Sequence, residues 1–165
     1  MKKCISILGM LICMLILSME GNAQKKKHSS NVDIEYKTAL GVKLGWFEGG
    51  AISIKHFVSD NAAVEGLASF WNRGFRFTGL YELYWNIPDA DGLKVYAGPG
   101  AHIGTYSSKY GGNVFLGIDG VLGLDYKIRN APINLSLDFQ PSFEFGNGSN
   151  DSFSPWGGLG VRYTF

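Results

Sequence analysis

The chain has 165 residues, with 15 Lys and Arg against 14 Asp and Glu and a formal net charge of +1. That length suits a single domain, and the near-zero charge gives none of the basic excess that marks a nucleic-acid partner. Glycine (23 residues) and aromatic side chains (14%) are both abundant, an unusual pairing for a soluble core.

The N-terminus reads MKKCISILGMLICMLILSMEGNAQ. Lys2 and Lys3 precede an apolar run from about Ile5 to Leu17, and Gly21 and Ala23 are small residues before Gln24. This pattern predicts a secretory signal peptide over residues 1–23. The apolar run is shorter than the ~20 residues that a membrane-spanning helix needs. Met10, Leu11 and Ile12 lack the small residue that a lipidation site carries just before its cysteine, so Cys4 and Cys13 are expected to leave with the signal. No cysteine then remains for a disulfide or a thiol site. Cleavage removes Lys2, Lys3 and Glu20, leaving about 142 residues with 13 charges of each sign. Residues 24–37 read as a polar leader.

From Thr38 onward the period is two. Eight strand-length runs are expected: 39–47, 51–59, 63–71, 75–85, 93–105, 113–128, 133–145 and 156–165. The segments between them (EGG, DNA, NRG, NIPDADG, YSSKYGG, RNAP and GNGSNDSFSP) are rich in the Gly, Asn, Asp, Ser and Pro that turns use. Each is short enough for an antiparallel hairpin, whereas parallel strands need crossover segments. The expected fold is all-β, an eight-stranded antiparallel up-and-down barrel over residues 38–165.

The seventh run shows the alternation best. Ile133, Leu135, Leu137, Phe139, Pro141, Phe143 and Phe145 share one face, and Asn134, Ser136, Asp138, Gln140, Ser142 and Glu144 the other. A soluble barrel would turn the apolar face inward. An outer-membrane barrel inverts the order, with apolar side chains toward lipid and polar ones toward the lumen. Size and charge separate the two. The polar faces carry Gly41, Gly45, Gly98, Gly100, Gly104, Gly117, Gly123, Gly158 and Gly160. Glycine weakens a solvent-facing strand but leaves room inside a narrow barrel for long charged side chains. The apolar faces are bulky and aromatic, as lipid permits. All twelve charged strand residues fall opposite the more apolar face: Lys43, Lys55, Glu65, Arg76, Glu82, Lys94, Asp119, Asp125, Lys127, Asp138, Glu144 and Arg162. They are six cations and six acids, predicting a charge-paired interior that acts as a plug. A narrow pore for small polar or amphipathic solutes is the alternative use of the same residues. Aromatics gather toward the strand ends, as in the girdles at membrane interfaces.

The ending GGLGVRYTF resembles the last strand of bacterial outer-membrane β-barrels, and the glycine-rich KVYAGPGAHIG (Lys94 to Gly104) is similar to strands of the small ones. The whole region after Thr38 resembles the eight-stranded class that includes OmpX, OmpW and the OmpA transmembrane domain. The resemblance implies an outer-membrane location, membrane lipid as surroundings, the leader 24–37 in the periplasm, and the barrel-assembly machinery as a partner during biogenesis. That machinery would read Leu159, Val161, Tyr163 and Phe165 as its signal. A monomer without cofactor is expected. The class commonly has long outer loops, whereas EGG and NRG are very short here.

Some eight-stranded barrels of this kind acylate or deacylate lipid A, which requires a His with a nucleophile near the outer rim. Here His28 lies in the leader, His102 has lumen parity, and His56 sits toward the opposite end of its strand. No Ser–His spacing supports catalysis, so a non-enzymatic structural or surface role is expected. The acids of DADG (Asp89 to Gly92) read as a tight turn rather than a metal site.

Overall fold

The structure, a computed structural model, describes residues 36–46, 49–71, 74–107, 109, 112–145 and 152–165. The expected signal peptide and all of the leader before Tyr36 lie outside the described residues. The strands are β1 (Thr38–Gly45), β2 (Gly50–Ser59), β3 (Ala62–Trp71), β4 (Gly74–Asn86), β5 (Leu93–Tyr106), β6 (Val114–Lys127), β7 (Ile133–Gln140), β8 (Ser142–Phe145), β9 (Ser152–Phe153) and β10 (Trp156–Thr164). All pairings are antiparallel, and each of β1 to β6 pairs with the next. β7 and β8 are successive pieces of one stave, both paired with β6. β9 and β10 are pieces of the next, paired with β8 and β7. The ten segments therefore make eight staves. β1 pairs with β10 from Ala39↔Thr164 to Gly45↔Gly158, which closes the barrel. Closure satisfies backbone groups that an open sheet would leave on two edges.

Turn chemistry sets the connections at the end where the chain enters and leaves. Gly92 (φ 79°) and Asn130 (φ 61°) take the left-handed conformation that their hairpins require, which Gly adopts freely and Asn tolerates. An exposed ion pair between Arg129 and Asp91, 2.6 Å long, ties these two turns together.

Two boundaries differ from the sequence pattern. The seventh run is interrupted at Pro141, which lacks the N–H that a ladder position needs; its carbonyl instead accepts the Gly120 N–H at 2.8 Å. Pro99, in β5, lies opposite the same Gly120. The β4–β5 pairing skips Pro99, running from Leu80↔Gly100 directly to Leu83↔Ala97. The second difference is β9, inside a segment expected to be only loop. It forms because Phe153 sits opposite Phe143, with rings 5.2 Å apart, and because the Ser142 hydroxyl donates to the Ser154 carbonyl at 2.5 Å.

Alternation along the staves gives the wall two unlike faces. Thirty-one large apolar residues are exposed among the described residues, including Leu137 at 43% and Phe139 at 52%. The twelve charged strand residues are all buried, none more than 9% exposed. Among the described strand residues, no Asp, Glu, Lys or Arg lies on the outer face.

The interior also holds rings that the charge pattern concealed: Phe57, Tyr84, Tyr96, Phe115 and Trp156, joined by Tyr36 from just before β1. Much of the space left by the interior glycines goes to these rings rather than to long charged chains. A Cβ on Gly123 would press on the Tyr96 ring and lie 2.7 Å from the Asp138 Cβ, whereas one on Gly79, on the outer face, would meet nothing within 4 Å. Gly123→Val should therefore destabilise the barrel by about 1–3 kcal/mol, the usual cost of overpacking. Gly79→Val should be neutral or slightly stabilising, since valine suits a strand. Urea unfolding midpoints of the two variants, refolded in detergent, compare them directly.

Candidate functional site

The candidate site is the barrel interior. Alternate residues of every stave project into it, and a barrel of eight strands is only wide enough for side chains to fill. Charges placed there cannot keep a hydration shell, and each costs several kcal/mol unless it is paired and hydrogen-bonded.

Arg162, on β10, is among the largest fully buried side chains. Its guanidinium reaches four neighbours. It forms a short charged contact with Glu65, donates through Nε to the Ser53 hydroxyl at 2.6 Å, and through Nη1 to Ser136 at 2.7 Å and Asn134 at 3.3 Å. Ser53 in turn donates to Glu65 Oε1 at 2.6 Å. One arginine thus links β2, β3, β7 and β10 across the lumen, and Gly160 provides room for its head.

Around this hub lie two lysines. Lys43 pairs with Asp138 at 2.8 Å and faces Glu65 at 3.6 Å. The Tyr96 hydroxyl donates to the same Asp138 oxygen at 2.6 Å. Lys55 pairs with Glu82 at 2.9 Å and lies 3.7 Å from Asp125 and 3.8 Å from Glu65. It donates to the Tyr84 hydroxyl at 2.8 Å, which passes a hydrogen bond on to Glu82 at 2.8 Å. Lys55 also lies 4.4 Å from the Tyr96 ring centroid, so an aromatic face supplements its carboxylates.

Nearer the mouth where the chain enters, Asn134 donates to Asp125 at 2.7 Å. Tyr36 packs its ring edge-on against Phe57, 5.3 Å between centroids, with its hydroxyl 3.5 Å from Asp125. Burial, reinforced by the Asp125 charge, holds the Tyr36 phenol well above its ordinary pKa. Lys127 turns to backbone carbonyls, donating to Ala131 at 2.6 Å and Ile128 at 3.1 Å. Lys94 is buried beside this layer, its backbone opposite Asp125.

A second layer lies toward the opposite mouth. His102 donates through Nδ1 to Asp119 at 2.8 Å, and its Nε2 is 3.9 Å from Glu144. Arg76 pairs with Glu144 at 3.6 Å, and Gln140 donates to Asp119 at 3.3 Å. Trp156 stands between the layers, with Lys43 Nζ 5.3 Å and the Arg76 guanidinium 5.8 Å from its ring.

The twelve charged residues singled out from the sequence are thus distributed along one enclosed column. What sequence reasoning missed is the aromatic share of it, with one serine: Tyr36, Tyr84, Tyr96, Trp156 and Ser53, whereas Asn134 and Ser136 sit on the polar face of the seventh run where the alternation puts them. Interior parity was the available signal for all of these except Tyr36, which precedes the first strand. The four residues expected to form the assembly signal lie on the outer face of the last stave, with Tyr163 and Phe165 rings in contact at 5.0 Å.

Of the three histidines, His28 lies outside the described residues. His56 hydrogen-bonds Thr38 at 2.8 Å on the exposed face, and the ionisable partners of His102 are Asp119 and Glu144. Among the described residues, no three His, Cys, Asp or Glu side chains are grouped to hold a metal ion.

The arrangement sets a test of the interior pairing. Arg162→Ala strands Glu65 without its guanidinium and should cost about 3–5 kcal/mol, as for a broken buried ion pair. Arg129→Ala breaks an exposed bridge and should change stability by no more than about 0.5 kcal/mol. Denaturant titrations of the two variants side by side measure the contrast. The chain matches no protein-family model, no curated protein and no solved structure.

Proposed function

We propose that this chain is an integral outer-membrane β-barrel protein whose charge-paired interior closes its lumen, with a structural or surface role and no catalysis. The observation that carries the reading is the inversion of the wall. The outer face is a continuous display of Leu, Ile, Val and aromatic side chains, while the charged strand residues are enclosed. Soluble monomers rarely expose contiguous apolar patches beyond a few hundred Å², and this display surrounds the whole barrel. Acyl chains are the solvent that rewards it.

Two further features support the same reading. Outward aromatics mark both ends of the wall: Trp46, Phe70, Phe75, Phe143 and Phe145 at one, Trp85, Tyr126, Tyr163 and Phe165 at the other. Such positions match the two membrane–water interfaces. The signal-peptide pattern supplies a route across the inner membrane. Phe165, with Tyr163, Val161 and Leu159 at alternate positions on the outer face, fits the motif proposed for assembly.

The test is biochemical. Expressed with its leader, the protein should fractionate with the outer membrane, and the unboiled sample should migrate differently from the boiled one in a denaturing gel. Refolded into lipid vesicles, it should leave an ion gradient as stable as in protein-free vesicles. Leu137→Lys, which places a charge on the outer wall, should lower stability in those vesicles by about 2–4 kcal/mol if the site lies near mid-bilayer. A protein recovered in the soluble fraction, with Leu137→Lys unfolding at the wild-type midpoint, would refute the membrane reading.

A further inference from the structure

Four rings form a row inside the barrel near the mouth where the chain enters. Tyr36 meets Phe57 edge-on at 5.3 Å between centroids, Phe57 meets Tyr84 at 4.9 Å, and Tyr84 stacks on Tyr96 at 5.2 Å. Phe57, Tyr84 and Tyr96 stand on β2, β4 and β5, staves that are paired on both sides. Tyr36 differs. It precedes β1 and belongs to no stave, yet it is only 6% exposed.

Segments that flank a sheet ordinarily run over the surface, so burying this ring needs a hold on the backbone beside it. Lys37 supplies that hold. Its N–H donates to the Phe165 carbonyl at 3.2 Å, and its carbonyl accepts the Phe57 N–H at 2.9 Å. The chain is thus clamped to the last residue and to β2 one position after Tyr36, and the ring packs against Phe57 inside the mouth.

The charges beside the row are those of the layer nearest this mouth. Lys55 donates to the Tyr84 hydroxyl and pairs with Glu82, and Asp125 lies 3.5 Å from the Tyr36 hydroxyl. A contact of 3.5 Å is at the outer limit of a hydrogen bond, so ring packing rather than the hydroxyl holds Tyr36 in place. We propose that Tyr36 is a tethered stopper: its ring closes the lumen at the mouth where the chain enters, so the segment before β1, and not the wall, governs access to Lys55, Glu82 and Asp125 from that side. The proposal goes beyond the charge-paired column and does not depend on what surrounds the outer wall.

Thiol labelling of the refolded full-length chain tests it. With Cys4 and Cys13 replaced by serine, Ala63→Cys is the sole thiol. Ala63 is fully buried and lies opposite Phe57 in the β2–β3 register. A water-soluble methanethiosulfonate should modify this thiol slowly while Tyr36 is in place. Tyr36→Ala should raise the rate by roughly tenfold or more, since a buried group is otherwise reached only through local opening. Tyr36→Phe, which keeps the ring, should leave the rate near the parent value. Ser69→Cys, on the same stave toward the opposite mouth, reports on the fold as a whole, and Tyr36→Ala should not change its rate. Rapid labelling of Ala63→Cys in the parent overturns the proposal, as does an unchanged rate in Tyr36→Ala. A Tyr36→Phe rate equal to that of Tyr36→Ala overturns it too, and so does a parallel rise at Ser69→Cys, which would make Tyr36 a support of the whole barrel rather than a closure of one mouth.

Discussion

The pairing of charges in a narrow lumen filled by side chains is the condition on which the rest of this molecule rests. A soluble domain of this size is held by an apolar core. Here most large apolar side chains face outward, and polar contacts join the staves across the axis beside a smaller cluster of buried rings and aliphatic side chains. Arg162 carries the largest share, since one guanidinium reaches side chains on three other strands. Its rigid planar fork suits this role better than an ammonium group would. The lysines close shorter circuits, each shared between two or three acids. A column built this way tolerates little rearrangement, because moving one charge strands another.

Rings and glycines complete the packing. Tyr84 and Tyr96 stack at 5.2 Å and direct their hydroxyls to Glu82 and Asp138. They act as apolar filling with a polar tip, which lets them occupy a charged column without leaving a group unsatisfied. The glycine opposite each large group is part of the same arrangement: Gly123 beside Tyr96, Gly117 beside His102, Gly104 beside Phe115. Small against large across neighbouring staves is how the narrow interior is filled.

The sequence revealed much of this, for a definite reason. A period of two survives any error in strand boundaries, so parity placed Lys43, Asp138 and Arg162 on one face and Leu135, Leu137 and Phe139 on the other without knowledge of register. Partners were not legible. Arg162 and Glu65 are 97 residues apart, and only closure of the sheet brings them together. The break at Pro141 could have been read from the missing N–H, because proline seldom continues a central strand. The β9 segment could not, since it rests on a Phe143–Phe153 contact that only the tertiary fold creates. Tyr36 was assigned to the polar leader because its neighbours are polar; its burial depends on a mouth formed by distant strands.

The two prolines have a mechanical meaning. β5 and β6 form the longest hairpin, paired without interruption from Leu93↔Tyr126 to Thr105↔Val114. On one flank its ladder to β4 skips Pro99, and on the other the stave facing β6 is cut at Pro141. Both interruptions lie at the height of Gly120. The hoop is therefore an unbroken panel set between two seams where the ladder is thinned at the same height, so parting the wall there would break fewer backbone hydrogen bonds than parting the panel itself.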